Sequence, residues 1–401
     1  MKVRSIVPYY GSKARMAPLI AEMLDYDNTD IYVEPFGGGC RVLLNKPRHK
    51  VECYNDYGEG ICAVMRVISN PDTAGEFIER LGETEYSREE FIKAKELYDL
   101  CENDPEVTTR RAMIRLIKKT GGIKNDVLET LFPDTSLEIT KRQAKKFGVE
   151  LMEARPQLQV WIEQHPVEGK EVARLFDEWY RLFKLKQKQG FLPRSRDLYG
   201  RCIPDMELAV ATYVTFIQSR DAMGETWSAF RYKNSDAYHN HMVGLYECAE
   251  RMKGVQVFQI DALNFFCRGG ENLQIAEWLN NPRVMMYLDP SYIRPEDEME
   301  MLEAAGIDDV NSVPSLSEAL AKEPENLGQL YATSFSYADQ EEFLRRICDA
   351  RCKMVVSNYD LALYDKYLTP ERGWSRMEYH TTTGVGGKKE NKRVEVLWYN
   401  Y

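Results

Sequence analysis

The run IYVEPFGGGCRVLLN, residues 31–45, constrains the chain more than any other stretch. Apolar residues ending at Glu34 give a short strand, three glycines follow, and CRVLLN opens a helix. Gly37, Gly38 and Gly39 let the backbone turn tightly and let a ligand approach without meeting side chains. A strand, a glycine turn and a helix in that order begin a βαβ unit, so an α/β fold with parallel strands is expected. KVECYND supplies the next strand and ends on Asp56, twenty-two residues after Glu34. In a Rossmann-like fold, an acid about 20 residues beyond the first turn binds ribose hydroxyls.

The turn does not follow the GxGxxG pattern of pyrophosphate binders. Counted from Gly37, the last position is Val42, and Pro35 interrupts the approach. A nucleoside ligand without a pyrophosphate fits better, and S-adenosylmethionine is such a molecule. A glycine turn of this kind also serves purely structural ends.

Between about residues 75 and 250 the pattern changes to charged helical stretches such as SREEFIKAKELYDL and KEVARLFDEWYRLFKLKQKQG, without recurrent strand signals. The strands return in GVQVFQIDA, RVMMYLDP and CKMVVSNYD, with helical patterns between them. The last segment, SRMEYHTTTGVGGKKENKRVEVLWYNY, reads as an antiparallel hairpin closing the sheet. The expected organisation is therefore an α/β domain from residues 1–75 and 251–401, with a mostly helical insertion at 76–250. The acidic, proline-broken stretch 295–327 is an excursion over the carboxyl edge of the sheet: a lid, a docking element or a surface helix.

A net charge of −10 argues against nucleic acid wrapped over the whole surface while leaving room for a local basic groove. The nine cysteines are odd in number and scattered, without metal-ligand spacing, so reduced buried thiols and no metal are expected. Cys348 and Cys352 have the spacing of one helix face. The longest apolar runs fall far short of the roughly 20 residues a membrane helix needs, and a cytoplasmic protein is expected.

The carboxyl end of the VMMYL strand carries Asp289, Pro290, Ser291 and Tyr292. Polar groups at the end of a parallel strand face a ligand crevice. An amine whose lone pair is delocalised into an aromatic ring is a poor nucleophile. Asp289 and the Pro290 carbonyl can each accept one of its N–H hydrogens, which favours a pyramidal nitrogen. Proline holds that carbonyl because its φ is fixed. Tyr292 can stack on the ring, a contact worth roughly 1–3 kcal/mol for a base on an aromatic side chain. The alternative is a plain turn with a packed tyrosine.

In order and spacing these motifs resemble the Dam-like family of S-adenosylmethionine-dependent DNA adenine-N6 methyltransferases. PYYGSKARMAPLI is similar to the opening motif of that family, which implies Tyr9 near the cofactor and Lys13 on its carboxylate. VEPFGGGCRVLLN resembles its first glycine motif through Glu34, Phe36, Gly37 and Gly39. The resemblance further implies that Asp56 binds the cofactor ribose, that Asp261 in FQIDALNF receives its adenine amino group, and that Asp289 to Tyr292 are catalytic. The fold implied is a Rossmann-like methyltransferase sheet with a C-terminal antiparallel hairpin and an inserted target-recognition lobe. Ser291 departs from the family, which usually has proline there; one φ constraint is lost while both acceptors and the aromatic stay.

The same resemblance implies base flipping in double-stranded DNA followed by direct methyl transfer. QSRDAMGETWSAFRYK is loosely similar to the recognition hairpin of the family. It suggests Arg220 and Arg231 as base or phosphate contacts and Met223 or Trp227 as a wedge in the base stack. Lys184, Lys186, Lys188, Arg194, Arg196 and Arg201 suit phosphate contacts, as do Lys388, Lys389, Lys392 and Arg393. Alternative readings are an RNA adenine methyltransferase and a DNA-binding, cofactor-binding protein without turnover. The enzyme would act alone or beside a cognate restriction enzyme.

Overall fold

Short runs such as VMMYL and KMVVSNY are largely apolar and buried, the mark of parallel strands covered on both faces. The structure, a computed structural model, describes residues 5–8, 13, 15–102, 105–123, 156–189, 203–220, 224–230, 235–266, 277–320, 335–383 and 391–401. Strands β1 (Ile31–Glu34), β2 (Val51–Asn55), β3 (Gln256–Phe258), β4 (Val284–Leu288) and β5 (Lys353–Tyr359) run parallel. The hairpin β6 (Ser375–Thr383) and β7 (Asn391–Tyr399) adds to β5 with β7 antiparallel. The spatial order is β3-β2-β1-β4-β5-β7-β6, a Rossmann-like sheet of the α/β class closed by the expected C-terminal hairpin.

Helix α1 (Ala17–Met23) precedes the sheet, α2 (Arg41–Asn45) leaves the glycine turn, and α3 (Glu59–Ser69) and α4 (Pro71–Glu83) follow β2. Helices α5 (Arg88–Glu102), α6 (Pro105–Thr120), α7 (Glu168–Gln189) and α8 (Asp205–Gln218) come next, then α9 (Ser235–Met252). Short α10 (Ala262–Phe265) follows β3, α11 (Pro295–Ala304), α12 (Leu316–Ala319) and α13 (Tyr337–Ile347) lie between β4 and β5, and α14 (Ala362–Tyr367) follows β5. None of the helices among the described residues is long and apolar enough to cross a membrane.

The chain divides into two compact units: Met1–Phe91 with Tyr213–Tyr401, and Ile92–Thr212. The boundaries fall inside the 76–250 span read from composition, because two charged helices at its flanks have one apolar face each. Ala74, Phe77, Ile78 and Leu81 of α4 are buried, as are Leu245, Cys248 and Met252 of α9, and these helices pack on each other and on α3. In the second unit, Val172, Leu175, Phe176, Trp179 and Phe183 recur at helical spacing along α7 and pack with Met113 and Ile117 of α6. The indole N–H of Trp179 there donates to buried Glu106 at 2.5 Å.

In the first unit, one core joins Val33, Cys53, Met286, Leu288, Met354 and Val356 from the sheet with Phe343, Leu344 and Ile347 of α13. The described part of the acidic stretch after β4 is anchored in this core through Met301, Leu316 and Leu320, while many of its other residues are exposed. Its Glu298 is buried and accepts the Ala362 and Leu363 amides at 2.7 and 2.9 Å, capping α14. In the same way Glu341 receives the amides of Leu316 and Ser317 at the start of α12. Cys348 and Cys352 do not share a helix face, because α13 ends at Ile347 and the chain turns before β5.

Candidate active site

β1 and β4 are neighbours, and the order of strands reverses between them. Chains leave this point in opposite directions, so a crevice opens outside the carboxyl ends of the two strands. The glycine turn follows β1 and the Asp-Pro-Ser-Tyr segment follows β4, which brings the two motifs to one edge. Asp56 and Asp261 follow β2 and β3 on the same edge.

The turn is built around a tyrosine. A Cβ on residue 37 would stand 2.0 Å from Cε2 of Tyr54, so only glycine fits there. Gly38 has φ +45° and Cys40 φ +43°, two left-handed residues that bend the backbone sharply into α2. Tyr54 donates its hydroxyl to the Gly38 carbonyl at 3.0 Å, and the Gly37 amide donates to the Asn55 carbonyl at 2.8 Å. The buried Asn55 amide group donates to the carbonyls of Pro35 and Ile260 and accepts from the Ile260 amide, tying the ends of β1, β2 and β3 together.

Glu34 lies beneath the turn rather than in the crevice. Its Oε2 accepts the Tyr32 hydroxyl at 2.9 Å and the Leu43 amide at 3.0 Å. Burial pushes its carboxyl up to about 8, and the charge of nearby Asp289 acts in the same sense. It braces β1 against α2. Asp56 accepts the amides of Gly38, Tyr57 and Gly58 at 2.8–2.9 Å, and burial raises its carboxyl above the ordinary range. Three of about four acceptor positions on that carboxylate are thus taken, leaving one on Oδ2. Asp261 caps α10 through Oδ1, which receives the Leu263 and Asn264 amides; Oδ2 takes no hydrogen bond from the described residues.

Asp289 is held from the neighbouring strand. The Ser357 hydroxyl on β5 lies 2.8 Å from its Oδ1 and 2.9 Å from the Tyr287 hydroxyl, and both Ser357 and Tyr287 are buried. The lone serine proton is best placed on the carboxylate, so Tyr287 donates to Ser357 and Ser357 to Asp289. Lys13, expected on a cofactor carboxylate, has Nζ 3.0 Å from Asp289 Oδ1 and 4.2 Å from the centroid of the Tyr292 ring. Tyr292 meets Tyr359 edge to face at 4.8 Å and donates its hydroxyl to Glu395 at 3.3 Å; burial raises it well above the usual tyrosine range and keeps it neutral. Phe36 meets the edges of Phe335 and Phe343 at 5.6 and 5.5 Å.

Ser357, Tyr287, Glu395 and Asn55 escaped the sequence reading. The signal that points to the first is VVSNYD, a polar residue at the end of an apolar run, and only the β4–β5 pairing shows what it reaches. Tyr9, Gly39 and Pro290 mark positions of the expected motifs; Tyr9 lies outside the described residues, whereas Gly39 sits in the turn and Pro290 is buried.

In the segment likened above to a recognition hairpin, Ser219 is bridged antiparallel to Trp227 and the Arg220 amide donates to the Thr226 carbonyl at 2.7 Å. Arg220 is exposed. Trp227 is half-buried, 6.4 Å from the ring of Tyr86, whereas Phe230 is 92% exposed. Met223, Arg231, Lys388 and Lys389 lie outside the described residues, as do Arg194, Arg196 and Arg201. Lys184 is exposed on α7, its Nζ 4.3 Å from the ring of Tyr180.

Residues 9–131 match the family model of the D12 class N6 adenine-specific DNA methyltransferases, a span that includes the glycine turn, Asp56 and the start of the helical unit. No curated protein matches the chain significantly. The sheet order and the two motifs at its switch point agree with this match, which supports an adenine-specific DNA methyltransferase similar to that class.

Proposed function

We propose that the enzyme transfers a methyl group from S-adenosylmethionine to the N6 amino group of an adenine flipped out of double-stranded DNA. The observation that carries this reading is the meeting of the glycine turn and the Asp289–Tyr292 segment at the β1/β4 switch point. The donor set suits a nucleoside cofactor: Asp56 keeps one acceptor position for a hydroxyl and Asp261 keeps Oδ2 for an amine. Phe36 would lie beside that cofactor, and Glu34 would hold the turn in shape from below. The cofactor, when bound, supplies an electrophilic methyl group.

The chain itself prepares the nucleophile. Asp289 and the Pro290 carbonyl accept the two N6 hydrogens, which localises the lone pair on nitrogen, and Tyr292 takes the adenine ring on its face. Ser357 and Tyr287 hold the Asp289 carboxylate, while Glu395 and Tyr359 hold the Tyr292 ring. Lys13 rests on the two groups that the adenine requires, so its ammonium swings away as the base enters. The proton lost from N6 passes to Asp289 or to solvent.

For duplex contacts the reading rests on the hairpin that starts at Ser219. Arg220 suits phosphate or base edges, and the exposed ring of Phe230 suits the gap left by a flipped base better than half-buried Trp227. Lys184 suits phosphates. The helical unit, residues 92–212, would contribute to target recognition.

Tritiated cofactor incubated with duplex DNA, single-stranded DNA and RNA tests the proposal. Label is expected in duplex adenines only, and Asp289→Ala should remove nearly all of it. Equal labelling by both proteins, or label confined to RNA, refutes the reading.

A further inference from the structure

The third motif position carries serine where the second proline of a Pro-Pro pair would fix φ, and the surrounding contacts show what holds the loop instead. Phe335 donates its amide to the Ser291 hydroxyl oxygen at 3.2 Å. Gln340, on the first turn of α13, donates through Nε2 to the Ser291 carbonyl at 2.9 Å and to the Phe335 carbonyl at 3.4 Å. Its Oε1 accepts the Tyr364 hydroxyl at 2.8 Å and lies 3.4 Å from Asn358 Nδ2. Two carbonyls face one end of the amide and two donors face the other, so the orientation of Gln340 has a single solution. The side chain is fully buried. Its helix is fixed in turn by a capping box between Ser336 and Asp339.

We infer that Gln340 and the Ser291 hydroxyl are positioning residues that clamp the catalytic loop to residue 335, replacing by hydrogen bonds the rigidity a second proline would supply. The inference rests on the reading of Asp289 to Tyr292 as the methyl-accepting segment. The clamp also reaches the cofactor side: the Phe335 ring meets Phe36 of the glycine turn at 5.6 Å, edge to face. A displacement of residue 335 therefore disturbs both the loop that orients Asp289 and the wall next to the glycine turn. Proline at 291 keeps φ but offers no hydroxyl acceptor, so it leaves the Phe335 amide without this partner.

The test compares the full-length enzyme with Ser291→Ala, Ser291→Thr, Ser291→Pro and Gln340→Glu. The measurements are S-adenosylmethionine affinity without DNA, kcat and KM on duplex DNA, the melting temperature and hydrogen exchange at the Phe335 amide. Loss of this half-buried hydrogen bond should weaken cofactor binding about tenfold in Ser291→Ala and Ser291→Pro, while Ser291→Thr, which keeps the acceptor, stays within about twofold of the parent. Gln340→Glu, isosteric but with an oxygen facing two carbonyls, should lower kcat about tenfold or more. The Phe335 amide should exchange faster in Ser291→Ala and Ser291→Pro. Parent-like affinity and exchange in both of these, or a Ser291→Thr enzyme as impaired as Ser291→Ala, overturns the inference. The exchange measurement decides it even if the parent binds no S-adenosylmethionine, an outcome that would instead refute the proposed function.

Discussion

Ser357→Ala removes one oxygen and leaves the backbone of β5 untouched, so it isolates the support of the Asp289 carboxylate. In the folded enzyme the hydroxyl stands 2.8 Å from Asp289 Oδ1 and 2.9 Å from the Tyr287 hydroxyl, with no exposure to solvent. A hydrogen bond to a charged group contributes roughly 1.5–3 kcal/mol. If the bond holds Asp289 in its reacting orientation, most of that amount should appear in the barrier, a fall in rate of about 10- to 100-fold at roughly 1.4 kcal/mol per decade. The same substitution leaves the buried Tyr287 hydroxyl without this partner, a separate cost of about 1–3 kcal/mol in folding stability. Single-turnover transfer of tritiated methyl to duplex DNA measures the first effect, and thermal or urea denaturation the second. Tyr287→Phe added to Ser357→Ala separates them, since it removes the orphaned hydroxyl and should restore stability without restoring rate. A Ser357→Ala enzyme with a parent-like single-turnover rate, or a double variant that regains it, would refute the role given to this hydroxyl.

Gly37→Ala places a Cβ 2.0 Å from the Tyr54 ring, and overpacking of this kind costs about 1–3 kcal/mol or more; the melting temperature and S-adenosylmethionine affinity should both fall, and Tyr54→Leu in the same chain should recover part of the stability. Glu34 carries its proton up to about pH 8 in the folded state, against an ordinary 4.5, so its contribution to stability is fully present below pH 4.5 and is lost as pH rises to 8. Urea denaturation from pH 5 to 9 should show Glu34→Gln gaining on the parent across that window; a constant difference would count against a protonated Glu34. On the acid side the sign reverses, because burial lowers His49 to about 4 and the hydrogen bonds of Ser317 and Tyr367, outweighing burial, lower Glu341 to about 2; the stability these groups contribute should fade as pH drops below about 6.5 and 4.5 respectively. Phe230→Ala should leave melting unchanged, since the ring is 92% exposed, yet weaken flipping of 2-aminopurine at the target position by roughly 1–3 kcal/mol; unchanged fluorescence would remove Phe230 from the DNA contact.

The chain alone determined the sheet domain, because residue alternation and glycine turns are local facts. The strands at 31–34, 51–55, 284–288 and 353–359 and the closing hairpin all fall on stretches marked by apolar patterning. Patterning also marks the ends of the strands, so Asp56 and Asp289 were legible as acids at strand ends, whereas Asp261 was singled out only through the family resemblance. Patterning does not say where a charged helix puts its apolar face, which is why α4 and α9 read as part of an insertion and yet pack on α3. The acidic run after β4 misled for a similar reason. Glu298 of that run, like Glu341 of α13, looks solvated in composition, but each is buried against amides at the start of another helix, and nothing in the order of residues names those partners.

Strand order was decided only in three dimensions. Residues 31–34 and 284–288 become neighbours through pairings that span some 250 positions, and that adjacency brings two short motifs to one edge of the sheet. Ser357 reaches Asp289 because β5 lies beside β4, and Ser291 reaches Phe335 because the chain returns past the Asp289–Tyr292 segment before α13. The physical reason is common to these cases: side-chain chemistry and periodicity are written residue by residue, whereas hydrogen-bond partners far along the chain follow from how the core packs.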